Sequence, residues 1–291
     1  ILERNENWYG YTSGQYEGQY ETDRIVCETV KDWNTAWLMF KKGEVDTIGI
    51  DVSIADEYKN SSRAVFTPDD FVGSMQLQSS KESLIKRQSE GVNKSILSYV
   101  DFRKALSLGI NRYEYNATCS TASKAGFGLF NSMHYYDVAN GGVYRNEDVA
   151  KQVLCDVYGV NVSDYDSLDD AYEAITGYNL AKARELMTSA YNAALEAGDI
   201  LATDKVELVF GTGSITEPTQ RVFDYLSNAI KNIAVGTPLE GRVEMKLEDH
   251  GTKWANDFKS GGYDICIGGY TGAAWDPGYF LLAYLSPDYM Y

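Results

Sequence analysis

Residues 205–233 read KVELVFGTGSITEPTQRVFDYLSNAIKNI. The first seven read as a strand, with Val206, Leu208, Val209 and Phe210 apolar. A pair of glycines then relieves a turn, and an amphipathic helix follows, with Thr216 placed as N-cap and Pro218 in the first helical turn. Downstream the pattern repeats: RVEMKLED reads as a strand, TKWANDFKSG as a helix and YDICIGGY as a strand. Strands alternating with helices predict an α/β layer architecture with mixed sheets flanked by helices.

A strand running into Gly211 and Gly213 invites a nucleotide-binding reading. That fingerprint needs a third small residue at the helix start, where Thr216 stands, and an acidic residue on a following strand to hold a ribose. A glycine-relieved turn is the simpler account.

Upstream, NLAKARELMTSAYNAALEAG reads as a helix from an Asn179 cap to a Gly198 stop, with Leu180, Ala183, Met187, Ala190, Ala194 and Leu195 on its apolar stripe. DFRKALSLGINRYEYN, from Asp101, predicts another, with Ala105, Leu106 and Ile110 facing inward. Residues 126–142 carry glycines and aromatics without period and predict a loop. Ser79 to Asn93, SSKESLIKRQSEGVN, is polar and irregular and reads as an insertion or lobe-crossing loop. Near the start, DRIVCETV and EVDTIGI read as strands around the helix DWNTAWLMFKKG, with Asp32 or Asn34 as cap, Trp37 and Leu38 facing the core and Gly43 as stop. Asp56 to Asn60 reads as a short helix.

The chain has 291 residues, 42 acidic and 26 basic, for a formal charge of −16. A field of that sign repels phosphate backbones, which argues against nucleic acid as a partner. The 23 tyrosines offer flat faces with polar tips, suited to peptide or sugar contact. The four cysteines, Cys27, Cys119, Cys155 and Cys266, show no metal spacing and are expected to be free, with Cys266 a small core residue. The two histidines, His134 and His250, lie far apart, so neither a metal nor a cofactor is expected. No apolar run is long enough to span a bilayer. The opening ILERNENWYG resembles neither a start nor a basic leader, and a piece of a longer protein is expected.

Adjacent acids at Asp69–Asp70 and Asp169–Asp170 could in principle serve glycoside hydrolysis. Nothing around them suggests the burial that would raise a carboxyl pKa, and no GxSxG elbow or Cys–His pairing is present. No catalytic residue is nominated.

Five phrases in order, LERNENWYG, DWNTAWLMFKKGEVDTIGI, YVDFRKALSLGINRYEYN, YNLAKARELMTSAY and YDICIGGYTGAAWDPGYFL, resemble the oligopeptide-binding family (family 5) of bacterial ABC-transporter extracellular solute-binding proteins. The corresponding positions are Asn5 to Tyr9, Gly43 to Asp46, Phe102 to Arg112 with Asn111 where the family has Asp, and Tyr270 to Pro277. The stretches 79–93 and 141–174 depart from the family's shorter connections. The resemblance implies a periplasmic-binding-protein-like fold of class II type. Residues 1–75 would be a partial segment of lobe I and residues 76–291 the C-terminal lobe that closes over ligand.

It further implies a non-enzymatic protein, extracellular or periplasmic and anchored as a lipoprotein when complete, monomeric, that hands a peptide or other small solute to an ABC permease. The rival expectation is an extracellular hydrolase acting through cleft carboxylates. In the family's peptide binders the ligand lies extended against main chain in the segment that here reads Tyr270, Thr271, Gly272, Ala273, Ala274, Trp275, Asp276. Small residues admit a ligand to the backbone and the aromatics offer stacking surface. Asp276 and Pro277 also fit an N-cap and first helical position. Those peptide binders carry an Asp three positions before the Asp-Pro pair, which pairs with the ligand's ammonium; Ala273 stands there in this chain.

Overall fold

The computed structural model describes residues 1–120, 123–269 and 276–286. The chain divides into two compact units, Ile1–Ile54 and Ala55–Tyr291.

The first unit contains strands β1 (Leu2–Glu3) and β2 (Arg24–Ile25), paired antiparallel, with helices α1 (Tyr9–Thr12) and α2 (Trp33–Lys42). Asp32 caps α2, accepting from Thr35 N at 2.8 Å, and Gly43 ends it at φ 76°. The predicted strands DRIVCETV and EVDTIGI shrink to the two residues of β2 and to irregular backbone, respectively. Leu38, expected to face a core, is 51% exposed, and α2 fully buries no residue. Rings fill the space instead: Trp33 stacks on Trp37 at 5.7 Å, and Trp8 is ringed by Tyr9, Tyr16 and Tyr20.

Helix α3 (Val52–Tyr58) follows, starting earlier than the sequence suggested. The second unit is built on a mixed sheet of β3 (Ser74–Leu77), β4 (Val92–Asn93), β7 (Lys205–Thr212), β8 (Val243–Asp249) and β9 (Ile265–Gly268). Strand β7 is central. β8 runs parallel along one edge, while β4 and β9 share the other, and β3 closes the sheet antiparallel to β9. Between β3 and β4 lies α4 (Lys81–Lys86), capped by Ser80.

The polar stretch 79–93 is therefore a helix and a strand rather than an irregular loop. Several of its polar groups bond to neighbouring residues: Gln88 Oε1 accepts from Lys94 N at 3.1 Å and Ser95 N at 2.8 Å, while buried Asn93 donates to Asp199 O at 2.7 Å. Leu84 provides its one fully buried apolar contact.

The predicted long helix from Asp101 divides into α5 (Val100–Gly109) and α6 (Arg112–Cys119). Asn111 causes the break by capping α6, its Oδ1 accepting from Tyr113 N and Glu114 N. Asn and Asp cap equally well, which accounts for Asn at a position where Asp is usual. Arg112 Nη1 then donates to Ser107 O and Gly177 O at 3.0 and 3.1 Å.

Residues 126–142 are mostly loop, as expected, apart from the small hairpin of β5 (Tyr135–Asp137) and β6 (Gly142–Val143). Helices α7 (Asp148–Tyr158) and α8 (Leu168–Glu173) share a small core of Cys155, Ala171 and Ile175. Helix α9 (Leu180–Glu196) starts at its Asn179 cap and buries Ala183, Met187, Ala190 and Ala194; Leu195, assigned to the same stripe, is 41% exposed, and Tyr191 is buried instead.

The main core lies on one face of the sheet, where Val206, Leu208 and Phe210 of β7 meet α5, α9 and α10 (Glu217–Ala234). On the other face Val209, Tyr263 and Cys266 pack under α11 (Trp254–Lys259). Helix α12 (Pro277–Leu285) ends the described chain. Helices thus cover both faces of a mixed sheet, the arrangement the alternation predicted. Among the described residues no helix is long and apolar enough to cross a membrane.

Candidate functional site

Parallel strands β7 and β9 end at the same side of the sheet, next to the start of α10. In open α/β sheets a crevice at the carboxyl ends of the strands is the usual ligand site. Here it holds about 250 Å³ and is walled by Phe210, Thr212, Thr219, Val222, Trp254 and Ile267, with every lining residue uncharged.

The glycine pair of the FGTG turn shapes this crevice. A Cβ on Gly211 would lie 2.5 Å from the Tyr263 ring, and one on Gly213 would lie 2.8 Å from Trp254. The glycines make room for aromatic rings, not for a phosphate. Thr216 caps α10 and closes the turn with Thr219, whose hydroxyl also donates to Ser214 O at 3.2 Å.

Tyr263 fixes Trp254 from behind, donating from its hydroxyl to Trp254 O at 2.8 Å. His250 packs on Tyr263 at 4.5 Å and contacts Asp257 at 3.0 Å. Burial pushes the Tyr263 hydroxyl well above its ordinary value and the Cys266 thiol up to about 11, so both stay neutral at physiological pH.

Strand β9 leaves the sheet through Gly268 and Gly269. The ring of Phe71 occupies the place where a Cβ on Gly269 would stand, 2.3 Å away. Asn131 holds the Phe71 backbone by donating from Nδ2 to Asp69 O at 2.7 Å and Phe71 O at 2.9 Å.

Of the residues the sequence nominated, Tyr270, Thr271, Gly272, Ala273, Ala274 and Trp275 lie outside the described residues. Asp276 is described. Its carboxylate accepts from Gly278 N at 3.1 Å, capping α12 with Pro277 in the first turn, as the Asp-Pro pair suggested. Sequence reasoning missed Trp254, Thr212 and Val222. The visible signal was the glycine pair, whose neighbours only the fold reveals.

Of the adjacent acids, Asp169 and Asp170 have structural partners. Both sit in the first turn of α8, where Lys151 lies 2.5 Å from Asp169 and Ser167 donates to Asp170 at 2.6 Å. Among the described residues no cluster of three or more His, Cys, Asp or Glu could hold a metal ion.

The sequence pattern of bacterial extracellular solute-binding proteins, family 5 middle, matches residues 1–291. The chain belongs to this family. Its fold is shared by an oligopeptide ABC transporter substrate-binding domain of Bacillus anthracis, with 17% identity, a TM-score of 0.59, and coverage of 89% of this chain and 41% of that one. A peptide-bound OppA of Listeria monocytogenes matches with 16% identity and a TM-score of 0.56, over 89% of this chain and 42% of that one. The Listeria substrate-binding protein CtaP matches with 17% identity and a TM-score of 0.52, over 98% and 46%. The chain therefore spans less than half the length of these structures. No curated protein sequence matches it.

Proposed function

We propose that the chain forms part of a non-catalytic solute-binding protein that captures an oligopeptide or similar small solute outside the cell and delivers it to an ABC permease. Membership of family 5 supports the class of protein, and a structure bound to peptide shares its fold. The observation that carries the reading is the uncharged crevice at the ends of β7 and β9, which Ile267 of β9 helps to wall. A site walled by an indole, an aliphatic face and threonine hydroxyls suits the neutral side chain of an extended ligand and offers no acid–base pair for hydrolysis.

In this reading residues 76–291 form the closing lobe and residues 1–75 part of lobe I. The half-exposed apolar face of α2 is then completed by segments outside the 291 residues, and the mature protein is a lipid-anchored monomer. With one wall of the cleft, the isolated chain binds weakly. Ala273 offers no counter-charge, so the ligand's ammonium is either absent or met elsewhere, since burying it opposite methyl groups costs roughly several kcal/mol.

The test is to equilibrate the complete protein with penta-alanine and its N-acetylated form, then recover the ligand. Unchanged peptide is expected; affinities within about threefold for the two forms would mean that the ammonium meets no counter-charge, and a large loss on acetylation that its anchor lies elsewhere than Ala273. Turnover of the peptide would overturn the capture reading.

A further inference from the structure

Strand β9 is only four residues long and meets β7 through a single paired position, Phe210 with Ile265. Strand β4 pairs with the same edge of β7 only at Lys205 and Val206. Between these two short neighbours, side chains take over the ladder. Lys94 Nζ donates to Glu207 O at 3.1 Å, and Asp264 Oδ2 accepts from Val209 N at 2.8 Å. Both side chains are almost wholly buried, and they meet at 3.0 Å. Arg87 Nη1 lies 2.5 Å from the other Asp264 oxygen, and the Asp264 backbone bonds to Val209 O and Gln78 N.

A buried charge cluster is seldom a net source of stability, because desolvation offsets the attraction; its best-attested use is to fix register. Register matters here. Ile265 belongs to the main core on one face, and Cys266 packs under α11 on the other. A slip of one residue would exchange those faces and displace everything C-terminal to them. All four residues of β9 pair with β3, so β3 and β9 would slip together as a ribbon, and against β7 that ribbon has one rung.

We propose that Asp264, held by Lys94 and Arg87, is a positioning residue: it sets the register of β9 and thereby the placement of Ile267 in the wall of the crevice. The ligand half of this inference rests on the proposed function; the register half does not.

Hydrogen exchange by mass spectrometry on the intact chain separates the two. In Asp264→Ala, amides of residues 265–269 should exchange at least about tenfold faster, while β8 stays within about twofold of wild type. Should that variant not fold, Lys94→Met/Asp264→Leu replaces the pair by apolar groups of similar size and keeps Glu207 paired with Lys246. It leaves one cation, Arg87, without the Asp264 carboxylate, where Asp264→Ala leaves two, so it should be the more stable of the two variants and show the same selective loss of β9 protection. Protection of β9 equal to wild type in the double variant, or an equal rise across β7, β8 and β9, would overturn the proposal. Binding of penta-alanine by the complete protein is the second arm: loss of affinity in the double variant supports positioning of the crevice wall, and unchanged affinity refutes it. If the wild type itself does not bind penta-alanine, the peptide reading fails while the exchange result still decides the register.

Discussion

Helices α2 and α10 are both amphipathic and both capped, by Asp32 and Thr216 respectively, yet α2 fully buries no residue and α10 buries five. The difference lies in what surrounds them. Helix α10 lies on β7 and β8 with α5, α6 and α9 beside it, and its apolar stripe is covered. Within Ile1–Ile54, two two-residue strands and a short helix offer α2 no such surface, and Gly10 is the one buried residue. An apolar stripe names the face that seeks cover; a neighbour decides whether it becomes core.

The sharpest way to break this comparison is to delete one side chain from each unit. Phe102 is fully buried among α5, α9 and α10, so Phe102→Ala should cost about 3–5 kcal/mol through lost transfer and a cavity. Leu38→Ala, at a position 51% exposed, should stay within about 0.5 kcal/mol in the isolated chain. Urea unfolding of both variants gives the ratio; comparable losses would mean that α2 is covered after all.

The second effect concerns the crevice. Gly211→Ala places a methyl group 2.5 Å from the Tyr263 ring, inside a packed sheet face. Overpacking of this kind costs about 1–3 kcal/mol. Because Tyr263 holds Trp254, the variant should also shift the tryptophan emission spectrum. A change in Tm without a spectral change would separate packing from the geometry of the site.

Next comes pH. Burial opposes ionisation of Asp199, but Lys81 and the Tyr99 hydroxyl outweigh it and hold the carboxyl below its ordinary range. Glu207 behaves likewise, with burial outweighed by Lys246 and Lys94. A carboxyl depressed in the folded state stabilises above its unfolded pKa, and that contribution is lost as pH falls through the unfolded and then the folded value. Stability should therefore hold at neutral pH and decline below about pH 4–5, the unfolded carboxyl range. The gap between wild type and Asp199→Asn, read as urea midpoints, should narrow over that same interval; a gap that stays constant would mean the charge does not matter.

How much of this was legible in the sequence follows from the same contrast. The run β7–α10–β8–α11–β9 could be read because each element is long enough, or apolar enough, to show its period. The 79–93 stretch hid α4 and β4 because its burial is polar, carried by Gln88, Asn93 and Lys94 rather than by an apolar stripe. The predicted strand EVDTIGI failed for the opposite reason, an apolar pattern with no strand beside it within its unit. Of the candidate site, the nominated residues 270–275 lie outside the described residues, and Trp254 reaches the crevice only through the tertiary packing of Tyr263 against Gly211, which no local pattern encodes.

The smallest expected effect tests whether a residue of the family phrase is scaffold or ligand contact. Asn111 accepts from Tyr113 N and Glu114 N and so starts α6, while its own carbonyl accepts from the Tyr225 hydroxyl of α10 at 2.8 Å. Its side chain thus serves the helix end, where an oxygen acceptor satisfies donors that otherwise have no intrahelical partner. Asn111→Ala removes that acceptor and should cost about 1 kcal/mol, as lost caps usually do. Asn111→Asp keeps the oxygen and adds a negative charge at the positive end of a helix, worth about 0.3–1 kcal/mol in favour of the fold at low salt. The acidic variant should therefore equal or slightly exceed wild type in urea midpoint, with the gain shrinking as salt is added. If Asn111→Asp instead destabilised the chain, the side chain would have to be facing another negative group, and the capping account of this motif would not stand.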